Sequence, residues 1–214
     1  MVLPLVSRVA SPYSDHMMRK ILMSLAAVLL LAAPAMAEKL SLNAISGYLN
    51  SFQTASGEFT QINADGTIST GRLYIKRPGR IRFEYNPPEN SLVMAGGGTV
   101  AIFDGKSNSS AEQFPLSQTP LNLILERNVN LARRSMVVGH QSDGKTTTVI
   151  AQDPEHPEYG NIRLVFTANP IELRQWVITD GGGDQTTVVL GELAKGVTLQ
   201  PSLFNIRHEE ARRQ

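Results

Sequence analysis

The stretch Gly71-Arg72-Leu73-Tyr74-Ile75-Lys76-Arg77-Pro78-Gly79-Arg80-Ile81-Arg82-Phe83-Glu84-Tyr85 decides the fold. Side chains alternate across a strand, so Leu73, Ile75 and Arg77 share one side, while Ile81, Phe83 and Tyr85 share one side of the next run. The opposite sides carry Tyr74 and Lys76, then Arg82 and Glu84. Pro78-Gly79 between them is a turn signal. The pattern predicts two adjacent strands, Gly71 to Arg77 and Arg80 to Tyr85, each apolar on one face only. Arg77 ends the apolar face. A strand-end arginine can snorkel to water, whereas one that stays inside must find acceptors, because an unpaired buried charge is strongly destabilising.

Period two continues on both sides of this pair. Upstream, Gly57 to Asn63 reads as a strand ended by Asp65-Gly66. Downstream, Leu92 to Ala95 and Thr99 to Asp104 flank the triplet Gly96 to Gly98 as a hairpin, with a loop that the glycines are expected to loosen. Further strands are expected near Met136, Thr146, Asn161, Glu172 and Thr186, punctuated by Asp143-Gly144, Asp153 to Pro157, Asn169-Pro170 and Asp180 to Gly183. Two segments depart from this period. Leu42, Ile45, Leu49 and Phe52 recur at helical steps, predicting a helix from about Ser41 to Ser51. Thr119-Pro120 reads as a second helix start, with Thr119 as N-cap and Leu121, Ile124 and Leu125 on its apolar side. A run at Leu203 to Ile206 precedes a charged tail. Some nine or ten short strands with two or three helices imply a mainly β fold, one antiparallel sheet that curls.

The first 37 residues follow other rules. Arg19-Lys20, an apolar run from Ile21 to Ala33 and Ala35-Met36-Ala37 form the n-region, h-region and cleavage site of a secretory signal peptide, with cleavage expected between Ala37 and Glu38. Residues 1–16 read as an upstream extension, with the start at Met17 or Met18. Residues 38–214 then form a single domain. The whole chain of 214 residues is 42% hydrophobic with net charge +1. Without the leader, 17 basic and 18 acidic side chains remain, and the hydrophobic fraction falls to about 36%. Near-neutral charge gives no electrostatic footprint for nucleic acid. Zero cysteine excludes disulfides, thiol nucleophiles, cysteine-ligated metals and the acylated cysteine of a lipoprotein.

Enzymatic apparatus is not visible. Gly105-Lys106-Ser107 resembles the end of a P-loop, but the required earlier glycine falls at Val100. No G-x-S-x-G elbow occurs, and His140, His156 and His208 lack ligand spacing. Asp153 to Glu158 around His156 reads as a proline-stiffened turn rather than a metal loop. Glu209-Glu210 sit side by side on the tail. No catalytic residue, metal or cofactor is expected. Arg72, Lys76, Arg80 and Arg82 read as a solvated strand face.

Taken together, Phe59-Thr60-Gln61, Gly71-x-Leu73-x-Ile75-Lys76-Arg77-Pro78, Arg82-Phe83-x-Tyr85-x-x-Pro88-Glu89, Leu92-Val93, Asp104-Gly105-Lys106, Thr119-Pro120-Leu121 and Gln175-Trp176-x-Ile178-x-Asp180 resemble the periplasmic outer-membrane lipoprotein carrier family, LolA. The resemblance covers nearly all of the chain after the leader, in the family's order. It implies an incomplete, strongly curved antiparallel β-barrel whose open side is covered by a helical lid, enclosing a hydrophobic cavity for acyl chains. The cavity face would include Phe59, Leu73, Ile75, Ile81, Phe83 and Trp176, with Leu121, Ile124 and Leu125 below a lid at Thr119 to Glu126. Arg77 matches the position that latches the lid by hydrogen bonds.

The implied protein is a monomeric periplasmic chaperone that receives acylated lipoproteins from an inner-membrane lipoprotein-releasing ABC transporter and carries them to the outer membrane, where an acceptor lipoprotein is the further partner. Two rival readings share the fold: a carrier of another lipid, glycolipid or phospholipid, and a periplasmic regulator that senses lipoproteins.

Overall fold

The computed structural model describes residues 38–107, 110–132 and 135–213, so the leader and its cleavage point lie outside the described residues. Helix α1, Leu42–Asn50, starts where the sequence places it: the Ser41 side chain accepts from the Ala44 N–H at 3.1 Å, capping an exposed donor. Its buried side carries Ile45, Tyr48 and Leu49, and Phe52 follows in the same core.

The remainder is one sheet in which every neighbour is antiparallel. Its strands are β1 Thr54–Ile62, β2 Ile68–Lys76, β3 Ile81–Tyr85, β4 Leu92–Gly96, β5 Thr99–Phe103, β6 Glu112–Pro115, β7 Val137–Ser142, β8 Thr146–Gln152, β9 Asn161–Ala168, β10 Ile171–Thr179, β11 Gln185–Leu190 and β12 Ala194–Lys195. The order is β6-β5-β4-β3-β2-β1-β11-β10-β9-β8-β7, with β12 beside β1. Edges β6 and β7 do not pair, so the barrel is incomplete. A single core cluster draws on β1 to β5, β8 to β11 and α1, which requires the sheet to curl around one interior. The connection between the two edges, residues 116–136, contributes Leu116, Leu121, Leu123, Ile124, Leu125, Val129, Leu131 and Met136 to that same cluster. It contains α2, Asn122–Leu125, whose Leu123, Ile124 and Leu125 are buried in that interior.

Several expectations are corrected. Thr119 is not the N-cap of α2: it caps the C-terminal end of a 3-10 turn at Leu116–Gln118, its hydroxyl donating to the Leu116 carbonyl at 2.9 Å, and α2 is a single turn without a side-chain cap. The glycine triplet tightens its hairpin. Gly97 and Gly98 supply the left-handed conformations of a two-residue turn, at φ 62° and 83°. Gly96 lets the Phe204 carbonyl approach to where a Cβ would stand 2.1 Å away. Strand β6 has no counterpart in the sequence reading. The charged tail is helix α3, Ile206–Arg213, packed on the outer face over Leu92, Met94, Ala101 and Phe103.

Candidate functional site

Between the inner face and residues 118–121 lies a cavity of about 600 Å³. Of the sequence-predicted site residues, Phe83, Leu121 and Trp176 line it. Phe59 stands behind them, edge-to-face with Phe83 at 5.4 Å between ring centres, and Phe83 meets Trp176 in the same way at 6.1 Å. Leu73, Ile75, Ile81, Ile124 and Leu125 belong to the same buried cluster as Phe59 but, like it, do not line the cavity in this closed arrangement. Packing explains the division: these six side chains fill the interior between the sheet, α1 and the lid segment.

The sequence reading missed other lining residues. Val93, Val100 and Ile102 sit on the inner face of the β4–β5 hairpin, where period two could have placed them. Phe114 and Tyr159 carried no such signal, because they stand on a four-residue edge strand and in a 3-10 turn. The wall is therefore apolar and aromatic over most of its surface, the character of a small-molecule or acyl-chain pocket.

Arg77 is buried, at 4% exposure. One terminal nitrogen, Nη1, donates to the Leu49 carbonyl at the end of α1; Nη2 donates to Asn50 Oδ1 at 2.9 Å and to the Arg127 carbonyl at 3.0 Å. The lid acceptor thus lies one residue beyond Thr119 to Glu126, and the other two belong to α1. Asn50 completes the junction by donating to the Val129 carbonyl at 2.8 Å and accepting from the Val129 N–H at 3.0 Å. The Gly79 N–H donates to the Leu125 carbonyl at 2.8 Å, and Ser46 Oγ accepts from the Leu131 N–H at 3.0 Å. Among the described residues, every acceptor of Arg77 is uncharged and its Nε has no partner. Burial accordingly pushes the guanidinium below its ordinary value.

The outer face departs from its sequence reading. Arg82 is buried rather than solvated: Nε meets Glu84 at 2.7 Å, both terminal nitrogens meet Glu209 Oε2 at 3.3 Å, and Nη1 also donates to the Leu203 carbonyl at 3.1 Å. Burial alone would raise the Glu209 carboxyl, but hydrogen bonds from Arg212 and Arg213 and the charge of Arg82 hold it down at about 2. At the Asp153–Glu158 turn, Asp153 Oδ1 accepts from the backbone of Glu155 and His156, as expected of a turn.

An unclosed antiparallel sheet curled around one core, with a largely apolar cavity on its inner side, defines the class of unclosed β-barrel proteins with an internal cavity. The model of the outer membrane lipoprotein carrier protein LolA family matches residues 50–207, and the chain belongs to that family, which is one of carriers and not of enzymes. The outer-membrane lipoprotein carrier protein of Azotobacter vinelandii is 24% identical over 196 residues, covering 87% of this chain and 93% of that one. That of Chromobacterium violaceum is 27% identical over 183 residues, covering 81% and 85%. A putative outer membrane lipoprotein-sorting protein domain from Vibrio parahaemolyticus overlays 82% of this chain and 98% of its own at 9% identity, with a TM-score of 0.47.

Proposed function

We propose that this protein is a periplasmic lipoprotein chaperone: it takes lipoproteins released from the inner membrane by an ABC transporter, shelters their acyl chains in the cavity beneath residues 116–136, and delivers them to an outer-membrane acceptor. The observation that carries this reading is the cavity of about 600 Å³ lined by Phe83, Val93, Val100, Leu121 and Trp176. Residues 1–37 act as the leader that exports it, and residues 38–214 are the carrier.

The energetics suit reversible loading. Burying acyl chain yields about 0.8 kcal/mol per methylene, so a dozen sheltered methylenes give about 10 kcal/mol. Charge-assisted hydrogen bonds such as those from Arg77 are worth about 1.5 to 3 kcal/mol each. The latch is therefore strong enough to favour closure when empty and weak enough for an acyl chain to displace. Its uncharged acceptors favour reversibility: when the lid leaves, water can replace carbonyl oxygens without a carboxylate being stranded.

Adding the purified protein to spheroplasts tests the reading. Lipoproteins should appear in the soluble fraction in a complex with it, and they should stay in the membrane when it is omitted. Membrane retention despite its presence contradicts the carrier role. Extracted ligand consisting of phospholipid or glycolipid alone makes it a carrier of another kind.

A further inference from the structure

Helix α1 meets the connection between the sheet edges through two polar side chains one turn apart. Ser46 and Asn50 stand at i and i+4 and so share one side of the helix. Their partners stand two residues apart: Ser46 Oγ accepts from the Leu131 N–H at 3.0 Å, and Asn50 Oδ1 accepts from the Val129 N–H at 3.0 Å. Asn50 Nδ2 also donates to the Val129 carbonyl at 2.8 Å, so one carboxamide satisfies both backbone groups of that residue. Ser46 Oγ in turn donates to the Leu42 carbonyl at 2.7 Å, which fixes its direction. The side chains of Val129 and Leu131 are buried in the core cluster. Backbone and side chains alike therefore tie residues 129–131 to α1.

The preceding stretch is held differently. The chain bends at Glu126, Arg127 and Asn128, between α2 and Val129. Upstream of Val129, backbone carbonyls and one N–H meet the sheet: Leu125 accepts from the Gly79 N–H at 2.8 Å, Arg127 accepts from Arg77 Nη2 at 3.0 Å, and the Leu116 N–H donates to Gly98 at 2.9 Å. Leu121 of this stretch lines the cavity, so a ligand there competes for its contacts. Asn50 sits at the boundary between the two stretches. Its Oδ1 accepts from Arg77 Nη2 at 2.9 Å as well, and Arg77 Nη1 donates to the neighbouring Leu49 carbonyl. When the Arg127 carbonyl leaves, these two bonds to α1 keep the guanidinium aimed at the place it left. The tie at Val129 keeps Arg127 on a tether of two residues, about 7 Å of chain.

We propose that Asn50 is the positioning residue of the lid: with Ser46 it pins residues 129–131 to α1 as a fixed end, it holds Arg77 in aim, and it confines opening to residues 116–128, with the bends at 126–128 as the pivot. Re-closure, the step that expels cargo, then starts from an arginine already in place. This rests on the reading of the connection as the cover of an acyl cavity, but its first test needs no cargo.

Amide hydrogen exchange on the empty protein, read residue by residue by NMR, is that test. After correction for intrinsic rates, the Val129 and Leu131 N–H groups should exchange at least about tenfold more slowly than the Gly79 N–H, because the Gly79 bond opens with the lid and theirs do not. In Asn50→Ala the protection of Val129 should fall to that of Gly79. With Arg77 no longer held in aim, onward transfer of loaded lipoprotein by this variant should slow by about fivefold more than loading from spheroplasts does. Asn50→Asp keeps both accepted bonds and should transfer within about twofold of the unaltered protein. Equal protection of the three amides in the unaltered protein overturns the fixed end. Normal transfer by Asn50→Ala, or equal slowing by Asn50→Asp, overturns positioning through Arg77. Failure of the unaltered protein to load any lipoprotein removes the carrier reading instead, and the exchange rates still decide whether Asn50 holds a fixed end.

Discussion

Two arginines five residues apart are both buried, and their surroundings differ in kind. Arg77, at the inner edge of the sheet, holds α1 and the lid segment through uncharged acceptors and leaves Nε unpaired. Arg82, on the outer face, is neutralised by Glu84 and Glu209 beneath α3. An ion pair removed from water is costly to break, because separating it strands a charge on each side. Hydrogen bonds to carbonyl groups are exchanged for water at little net cost once the site opens. This contrast supports the proposed latch: on that proposal the inner junction opens while the outer one stays shut.

Substitutions at the two junctions should separate these roles. The largest effect on stability is expected at the outer clasp: Glu209→Ala removes the buried partner of Arg82, leaves it with the part-exposed Glu84 alone, and should cost about 3 kcal/mol in urea unfolding. A loss below 1 kcal/mol would put the clasp on a par with an ordinary surface pair.

On the inner face, the same introduced charge should act differently by depth. Ile81→Glu places a carboxylate in packed core and should destabilise the fold by at least about 2 kcal/mol, whereas Phe83→Glu, on the cavity wall, should cost less stability and abolish co-purification of lipoprotein. Normal loading by the Phe83 variant removes that residue from the site.

Arg77→Leu should cost about 2 kcal/mol of stability, because it leaves no charge behind but takes the donor from the Leu49 and Arg127 carbonyls. Yet it should slow onward transfer of loaded lipoprotein by about tenfold, because the closed state that expels cargo loses the latch. Transfer at the normal rate contradicts the latch role.

The smallest effect is acid dependence. The Glu209 carboxyl is depressed from 4.5 to about 2 in the folded protein, so its contribution is complete above about pH 4.5 and is lost as pH falls toward 2. Glu209→Gln should flatten the stability profile across that window, measured by urea midpoints at intervals of pH. An unchanged profile means that other carboxylates carry the acid response.

Much of this architecture is legible in the sequence because it is local. Alternation in residues 71–85, the helical steps of Leu42, Ile45 and Leu49, and the Gly, Pro, Asp and Asn turn signals identify most strands and α1, and the period puts Arg77 on the inner face. What was not legible depends on distant partners. Arg82 reads as a solvated side chain until Glu209, 127 residues away, folds over it. Asn50 reads as the polar end of a helix until Val129 meets it. Alternation also cannot tell Leu73 from Phe83: both face inward, and only the packing of α1 and the lid segment decides which becomes core and which lines the cavity. Strand β6, with one inward aromatic and a terminal proline, offers too short a period to detect.

A carrier of the proposed kind takes acyl chains into the inner cavity, not onto the outer surface, where Ile68 is 64% exposed. Photo-crosslinking compares the two faces in one measurement, with p-benzoylphenylalanine introduced either as Phe114→p-benzoylphenylalanine at the cavity wall or as Ile68→p-benzoylphenylalanine outside. After loading with lipoprotein, the adduct to the acyl chains should form from position 114 and not from position 68. An adduct from position 68 with none from position 114 would contradict the account.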